Sequence, residues 1–133
     1  MSANEKTILF IEDDQDQQRL YGLAFKKAGF RVLQALSGED GIKIAEKEQP
    51  QIIVLDILMN GKDGIGTLGL IKKNKIIPAR TPVVVFTNYT KREVLQKARD
   101  LGAADVVIKT DVVPREFVDR IEKILNKSAG AVV

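Results

Sequence analysis

The feature that most constrains the fold is an unbroken apolar run, Ile52–Leu55, which ends at the carboxylate of Asp56. Four apolar residues without polar alternation predict a strand buried on both faces, as in a parallel sheet covered by helices. Ligands of such sheets bind beyond the carboxyl ends of the strands. Asp56 is therefore predicted to stand where a ligand would meet the sheet.

Segments of strand and helix character alternate along the whole chain. Strands are predicted at 7–11, 30–35, 52–55, 82–86 and 105–108, and helices at 15–28, 41–48 with start signals at 37–40, 64–75, 90–101 and 114–127. Leu20 and Leu23 have the spacing of apolar positions on the first helix, and Asp63 is predicted as the N-cap of the third. This alternation predicts an α/β domain with a parallel sheet and helices on both faces.

The composition narrows both the chemistry and the partners. The chain has no cysteine and no histidine, so disulfides, thiolate metal sites and histidine-based catalysis are excluded. The net charge of +3 is too small to indicate nucleic acid binding. No signal-peptide pattern or membrane-length apolar run is present, so we expect a cytoplasmic protein without a membrane partner. The 133 residues predict one domain over 1–133, with a core at about 6–127 and a tail at 128–133.

Residues with acid, hydroxyl or amino groups follow four of the five predicted strands. Glu12 and Asp13 come after the first strand, Asp56 after the third, Thr87 after the fourth and Lys109 after the fifth. All strands of a parallel sheet point the same way, so these side chains are predicted to share one edge. Carboxylates buried together repel one another, and an all-oxygen set of ligands suits Mg²⁺.

The same set of side chains predicts transfer of a phosphoryl group. A carboxylate such as Asp56 can attack phosphorus, while Lys109 and the Thr87 hydroxyl can bind phosphoryl oxygens. Mg²⁺ and a lysine supply the charge stabilisation that this reaction requires. Taken singly, a lysine at a strand end is usually solvated, and a threonine there is often a helix N-cap. Asp14 is expected to cap the first helix or to lie in solvent. The combination at four strand ends favours an aspartyl phosphate site.

Several segments resemble the receiver domain of bacterial two-component response regulators. They are residues 8–14 with the sequence ILFIEDD, 54–59 with VLDILM, 62–64 with KDG, 84–87 with VVFT and 107–109 with VIK. The resemblance covers about residues 6–127 of the chain. It implies a flavodoxin-like, doubly wound sheet of five parallel strands in the order 2-1-3-4-5, with five helices on its two faces.

The resemblance also implies roles for the acidic residues. Asp56 would be the phosphoacceptor, and the donor would be a phosphohistidine on a sensor histidine kinase or a phosphotransfer protein. Asp13 and Asp56 would bind Mg²⁺ directly, Glu12 would bind it through water, and Leu58 through its backbone carbonyl. The chain would then be a phosphoprotein that catalyses its own phosphotransfer and slow loss of phosphate, rather than a conventional enzyme.

On the other side of the predicted site, Thr87 and Lys109 would hold the phosphoryl group. Phosphorylation is expected to draw Thr87 inward and to alter a face made of the fourth helix, fifth strand and fifth helix, which would bind an unidentified downstream protein. Asn88 and Val106 stand at two further phosphoryl-binding or switch positions. The family usually has a small residue in place of Asn88 and often has an aromatic residue in place of Val106.

Two other positions depart from the family pattern. Asn60 stands where a proline usually follows the methionine after the third strand, and Thr110 stands where a proline usually follows the lysine. A trans Lys109–Thr110 bond is expected, because a cis bond before a residue other than proline costs about 3 kcal/mol. Leu58 and Tyr89 flank the predicted approach of a hydrolytic water. Family members with apolar or bulky residues at these positions tend to hold phosphate longer, so the resemblance implies slow autodephosphorylation.

Two alternative functions stay open from the sequence. The changes at Asn60, Asn88 and Thr110 are compatible with a phosphorylation-independent protein-interaction module that has a receiver fold. Asp14 and Asp16 have the spacing of phosphatase nucleophiles, although other acidic residues separate them from the strand, and no glycine-rich phosphate loop is present. Direct DNA binding lacks support, because no further helix is left for a helix-turn-helix.

Overall fold

The fold is built on one five-stranded parallel sheet. The computed structural model describes residues 5–59 and 62–130, and for 62, 63 and 128–130 it describes the backbone alone. The strands are β1 Lys6–Ile11, β2 Phe30–Ala35, β3 Ile52–Leu55, β4 Val83–Thr87 and β5 Asp105–Ile108. Their order in the sheet is β2-β1-β3-β4-β5, with every pair parallel. The predicted order 2-1-3-4-5 is confirmed.

Five helices connect these strands. They are α1 Gln15–Lys27, α2 Gly38–Glu48, α3 Ile65–Lys73, α4 Arg92–Asp100 and α5 Pro114–Gly130. A short antiparallel hairpin, Leu58–Met59 with Lys62–Asp63, follows β3, and a 3-10 turn, Lys109–Asp111, follows β5. The α/β prediction with five helices is therefore confirmed.

The sheet is covered on both faces because its central strands alternate two sets of apolar side chains. One set packs with α1 and α5 in a core rich in aromatic rings, and the other packs with α2, α3 and α4. In β3, for example, Val54 belongs to the first core and Leu55 to the second, and both are fully buried. This is why Ile52–Leu55 has no polar alternation, and it places the end of β3 between two packed layers.

The buried face of α1 differs from the predicted one. Leu20 and Leu23 are 50% and 56% exposed, whereas Tyr21 and Phe25 face the core together with Gln18. Tyr21 and Phe25 make edge contacts with the ring of Phe10 at centroid distances of 6.1 Å. Aromatic rings bury more apolar area than leucine and gain from these ring contacts, so they determine which face of the helix packs.

Helix boundaries also differ from the predictions in places. Gly64, not Asp63, occupies the N-cap position of α3, and no side chain caps that end. Helix α2 begins at Gly38, inside the predicted start signal at 37–40, because the Ser37 hydroxyl caps it by accepting the Asp40 N–H. Helix α4 is shorter than predicted, at Arg92–Asp100, and α3 ends two residues early, at Lys73.

The carboxyl-terminal helix is longer than predicted. Helix α5 runs to Gly130, three residues into the segment predicted as a tail, and residues 131–133 lie outside the described part of the chain. Asn60, one of the positions that depart from the family pattern, also lies outside it. Across residues 5–59 and 62–130, no helix combines the length and the apolar character that crossing a bilayer requires.

Two glycines inside α3 are expected to cost stability without serving the packing of this chain. A Cβ added at Gly66 or Gly69 would meet no neighbouring atom within 4 Å. We expect Gly66→Ala and Gly69→Ala each to raise the free energy of unfolding by about 0.5–1 kcal/mol, measured by urea denaturation. Gly41→Ala in α2 is the matched control and should destabilise, because its Cβ would overlap with the side chain of Ile11. Equal effects at the two kinds of position would contradict this account.

Candidate functional site

Two buried carboxylates lie side by side at the carboxyl edge of the sheet. Glu12 follows β1, and its N–H donates to the carbonyl of Ala35 at 2.9 Å. Asp56 follows β3, and its N–H donates to the carbonyl of Ile11 at 3.0 Å. Each bond extends a strand pairing by one residue, which places both acids at the end of the paired strands. Glu12 is 1% exposed and Asp56 4% exposed.

Lys109 bridges these two carboxylates. Its ammonium contacts Glu12 Oε1 and lies 2.9 Å from Asp56 Oδ2, and its side chain is only 11% exposed. The same ammonium lies 5.8 Å from the centre of the Phe86 ring, within the range of a cation–π contact. Lys109 is therefore not a solvated lysine at a strand end, and strands β1, β3 and β5 deliver their predicted residues to one site.

The site contains less positive than negative charge. Burial, aided by repulsion from Asp56, raises the pKa of Glu12 from 4.5 to about 7, although the contact with Lys109 opposes this shift. Burial disfavours the charge on Lys109, but its hydrogen bonds and attraction to two carboxylates outweigh that effect and raise its pKa above the ordinary value. One cation shared between two buried carboxylates explains both directions.

The raised pKa of Glu12 predicts that metal-free protein loses stability as the pH rises. Between pH 4.5 and about pH 7, the folded chain binds a proton at Glu12 that the unfolded chain does not bind. The free energy of unfolding should fall across this window, by at most about 1.4 kcal/mol per pH unit. Glu12→Gln should remove this component. Urea denaturation of both proteins in EDTA, from about pH 5 to pH 8, tests it, and parallel stability curves would contradict the assignment.

The second oxygen of Asp56 is also held. Asp56 Oδ1 accepts the N–H of Leu58 at 2.9 Å, while Oδ2 faces Lys109. Leu58 is half-buried in the short hairpin after β3. The hydrogen bond from the Leu58 N–H therefore fixes the orientation of the Asp56 carboxylate relative to the hairpin after β3. The predicted role of the Leu58 carbonyl as a metal ligand stays a prediction.

Thr87 and Asn88 end β4 with different surroundings. Thr87 is fully buried, and its Oγ1 accepts the N–H of Tyr89 at 3.1 Å, which leaves the hydroxyl proton able to donate elsewhere. Asn88 is exposed, and its Oδ1 accepts the N–H of Thr110 at 3.1 Å. That hydrogen bond joins the loop after β4 to the turn that carries Lys109. The predicted contacts of Thr87 and Asn88 with a phosphoryl group stay predictions.

Asn88 and Thr110, two positions that depart from the family pattern, are therefore direct partners. A proline at position 110 would have no N–H to donate. Asn88 therefore accepts a hydrogen bond from a backbone N–H that is present only because residue 110 is a threonine. The Lys109–Thr110 bond is trans, as expected. Val106 lies half-buried in β5, opposite Val85 of β4, and packs with the α2–α4 core. Its role in switching stays a prediction.

The acidic residues after Glu12 take separate positions. Asp14 caps α1, because its Oδ1 accepts the N–H groups of Asp16 and Gln17 at 2.8 and 3.2 Å, as the sequence led us to expect. Asp16 is exposed and pairs with Arg19. These contacts give the phosphatase alternative no support. Asp13 is half-buried beside Glu12, and its role as a metal ligand stays a prediction.

The donor set at this edge fits Mg²⁺ in its usual mode. Within the described part of the chain, no group of three or more His, Cys, Asp or Glu side chains converges as a metal cage. Mg²⁺ is commonly held by one or two carboxylates and keeps several waters, so a dedicated cage is not required. Glu12 and Asp56 are buried oxygen donors that share a single lysine, so a further positive charge would reduce the repulsion between them.

Two residues of the site were missed by the sequence reasoning. Phe86 has its ring centre 5.8 Å from the Lys109 ammonium and stacks on Phe117 with ring centres 3.7 Å apart. Its place beside Thr87 at the end of the predicted fourth strand could have indicated it. Gln18 is buried in α1 and its amide contacts the end of β1. A glutamine in a helix predicts solvent exposure, so no signal in the sequence pointed to it.

The chain is similar to known proteins over most of its length. Residues 8–122 match the family described as the response regulator receiver domain. Sporulation initiation phosphotransferase F of Bacillus subtilis is 33% identical over 122 residues, covering 92% of this chain and 94% of the relative. The alkaline phosphatase synthesis transcriptional regulatory protein PhoP of the same organism is 32% identical over 125 residues. The chain spans about half the length of PhoP and of other transcriptional regulators that it matches.

Solved structures show the same fold. A CheY-like receiver domain protein from Methanospirillum hungatei superimposes with a TM-score of 0.88 at 21% identity, covering 96% of this chain and 99% of that one. A response regulator from Chloroflexus aurantiacus gives a TM-score of 0.81 at 25% identity, covering 92% and 99%. Together with the match over residues 8–122, these findings confirm the resemblance, and the chain belongs to the response regulator receiver domain family.

Proposed function

We propose that this chain is a phosphorelay protein of the cytoplasm that accepts a phosphoryl group on Asp56. The donor is a phosphohistidine on a sensor histidine kinase or a phosphotransfer protein. The observation that carries the proposal is the ammonium of Lys109 held between Glu12 and Asp56 in a buried site. A buried carboxylate with a flexible cationic side chain beside it combines a nucleophile with a group that can bind the incoming phosphoryl oxygens.

The transfer uses one oxygen of Asp56 as the nucleophile. That oxygen forms a bond to phosphorus as the bond from phosphorus to the donor nitrogen breaks, and the electron pair of that bond stays with the donor imidazole. Asp56 thereby loses its charge, and Lys109 can exchange its contact with Oδ2 for one with a phosphoryl oxygen. The N–H of Leu58 holds Oδ1 and so restricts rotation of the carboxylate.

Magnesium would be held by Asp13 and Asp56 directly, by Glu12 through water and by the carbonyl of Leu58. When bound, it supplies charge stabilisation for the phosphoryl oxygens. The side chains of this chain provide the remaining positive charge and hydrogen bonding. Lys109 does so from β5, and the Thr87 hydroxyl has a proton available from β4.

Signalling would run through Thr87 and the fourth helix. Inward movement of Thr87 toward a phosphoryl group would break the hydrogen bond from the Tyr89 N–H to its Oγ1 and release the loop before α4. Helix α4 suits a mobile element, because Ala98 is its single buried residue. The face formed by α4, β5 and α5 would then present a changed surface to a downstream protein.

Slow loss of phosphate is expected from the residues beside the site. Leu58 and Tyr89 are half-buried and neither offers a carboxamide or carboxylate to orient an attacking water. We expect hydrolysis of the phosphorylated protein to accelerate several-fold in Leu58→Asn, measured as decay of label after removal of the donor. Leu70→Asn, an exposed position on α3, is the matched control. A wild-type decay as fast as that of rapid chemotaxis regulators would contradict this expectation.

A phosphorylation-independent interaction module is the second candidate. The hydrogen bond between Asn88 and Thr110 favours it, because it ties together the two loops that a phosphorylation switch would move. Partner binding that is unchanged by Asp56→Asn would support this alternative.

The direct test is intact-mass measurement after incubation with Mg²⁺ and acetyl phosphate. We expect one added phosphoryl group that hydroxylamine removes, as for an acyl phosphate. No added mass, or an adduct that resists hydroxylamine, would refute an aspartyl phosphate. The mass shift also needs Mg²⁺, so EDTA should prevent it.

A further inference from the structure

Helix α1 sends one polar side chain into the interior beneath the acidic end of β1. Gln18 is 4% exposed, and its Nε2 lies 3.0 Å from each of three backbone carbonyl oxygens, those of Phe10, Glu12 and Ala35. Glutamine is mostly an exposed residue, and a buried amide is stable only with hydrogen-bond partners. The two amide protons donate to three carbonyl oxygens, so one proton is shared between two of those oxygens.

The three carbonyls mark the place where two strands end. Ile11 is the last residue of β1 and Ala35 the last residue of β2. Glu12 lies one residue beyond β1, where its N–H still donates to the Ala35 carbonyl. The Nε2 group of Gln18 donates a hydrogen bond to the Glu12 carbonyl. Both polar groups of the Glu12 backbone are therefore fixed, although the residue lies outside the strand.

This contact bears directly on the acidic residues of the site. The Glu12 carbonyl belongs to the peptide that joins Glu12 to Asp13, so holding it sets the direction in which both side chains leave the backbone. Glu12 and Asp56 are two buried carboxylates that contact the same ammonium, so they repel each other and the backbone must resist their separation. A donor that is anchored in α1 and bonds to the Glu12 carbonyl provides that resistance.

We propose that Gln18 is a positioning residue that holds the Glu12–Asp13 peptide in the orientation required to bind Mg²⁺. The inference rests on the proposed function, since it concerns the metal side of the same site. Glutamine suits the role because it has the length to reach the strand end and carries two protons. Methionine has a similar length but no donor, and glutamate would place a charged oxygen against three carbonyl oxygens.

The test compares Gln18→Met with Gln34→Met. Gln34 also ties α1 to β2, by donating from Nε2 to the carbonyl of Gln18 at 3.2 Å, but it does not contact Glu12. Mg²⁺ affinity is measured by NMR titration of amide shifts, independently of phosphorylation. We expect Gln18→Met to lose Mg²⁺ affinity by about tenfold or more, as for other residues that orient metal ligands, and Gln34→Met to keep it. Phosphorylation by acetyl phosphate should be slow in Gln18→Met at low Mg²⁺ and recover at saturating Mg²⁺.

The outcomes separate this inference from the proposed function. Wild-type protein that does not bind Mg²⁺ would overturn both. Mg²⁺ binding by wild type that Gln18→Met leaves unchanged, or that both variants weaken equally, would overturn the positioning role alone. Gln18→Asn, which keeps the amide but withdraws it by one methylene, serves if the methionine variant does not fold. Failure of both Gln18 variants to fold would assign the side chain to the fold and would overturn the proposal too.

Discussion

Replacing Asp56 with Asn is expected to abolish phosphorylation of the chain. The carboxamide has no anionic oxygen that can attack phosphorus. After incubation with Mg²⁺ and acetyl phosphate, the variant should show no added mass where wild type shows one phosphoryl group. The effect is complete loss, because the nucleophile itself is removed.

The matched control for this variant is Asp14→Asn. Asp14 lies close to the site, but its carboxylate caps α1, and asparagine is an equally good cap. It should be phosphorylated like wild type. Phosphate incorporation in Asp56→Asn at the wild-type level would place the acceptor elsewhere, whereas loss in both variants would point to a general effect of charge.

Asp56→Asn should not fail through unfolding. Asp56 is one of the groups that raise the pKa of Glu12, after burial itself, so its removal should lower that pKa and relieve repulsion in the site. Lys109 would then pair with a single carboxylate. We therefore expect a thermal midpoint equal to or above that of wild type in metal-free buffer. The loss of phosphorylation would then be due to the missing nucleophile and not to unfolding.

The sheet and the membership of the site could be predicted from the sequence because both depend on local patterns. The apolar run Ile52–Leu55 fixes a buried strand, and a parallel sheet brings Glu12, Asp56 and Lys109 to one edge whatever the loops between them do. The end of each strand and the polar residue just beyond it are neighbours in the sequence. The same locality explains why the capping role of Asp14 could be expected.

Other features depend on contacts between distant residues and left no local signal. Leu20 and Leu23 satisfy helical periodicity, yet Tyr21 and Phe25 face the core because partner rings on other elements receive them. Gln18 is buried although it is polar, because backbone carbonyls of Phe10, Glu12 and Ala35 accept its amide protons. The bond between Asn88 and Thr110 joins residues 22 positions apart, and each looks like an isolated departure until the loops are seen together.

Replacing Lys109 with Met is expected to impair phosphorylation and stability together. The ammonium contacts both buried carboxylates, and it would bind the phosphoryl oxygens in the proposed reaction. Loss of a positioned charge of this kind typically slows a reaction by about 100-fold or more. Removing one partner of a buried ion pair also costs about 3 kcal/mol, because the remaining charge has no compensation.

The loss of stability in Lys109→Met should itself depend on pH. Without the ammonium, the pKa of Glu12 should rise further, so at acidic pH a proton takes the place of the lysine charge and the variant approaches wild-type stability. As the pH rises, Glu12 must either keep its proton or stand charged beside Asp56, and the deficit should grow. Urea denaturation of both proteins in EDTA at about pH 5 and about pH 8 measures this difference.

A double variant separates the two roles of Lys109. Adding Glu12→Gln to Lys109→Met removes the buried charge that the lysine compensated, so stability at about pH 8 should return toward that of wild type. Glu12 is also an expected Mg²⁺ ligand, so phosphorylation is measured at saturating Mg²⁺. It should stay slow there, because the cation that would bind the phosphoryl group is still missing. If the double variant regained phosphorylation along with stability, Lys109 would act only by holding the site together, and the charge on the phosphoryl oxygens would have to be met by other groups.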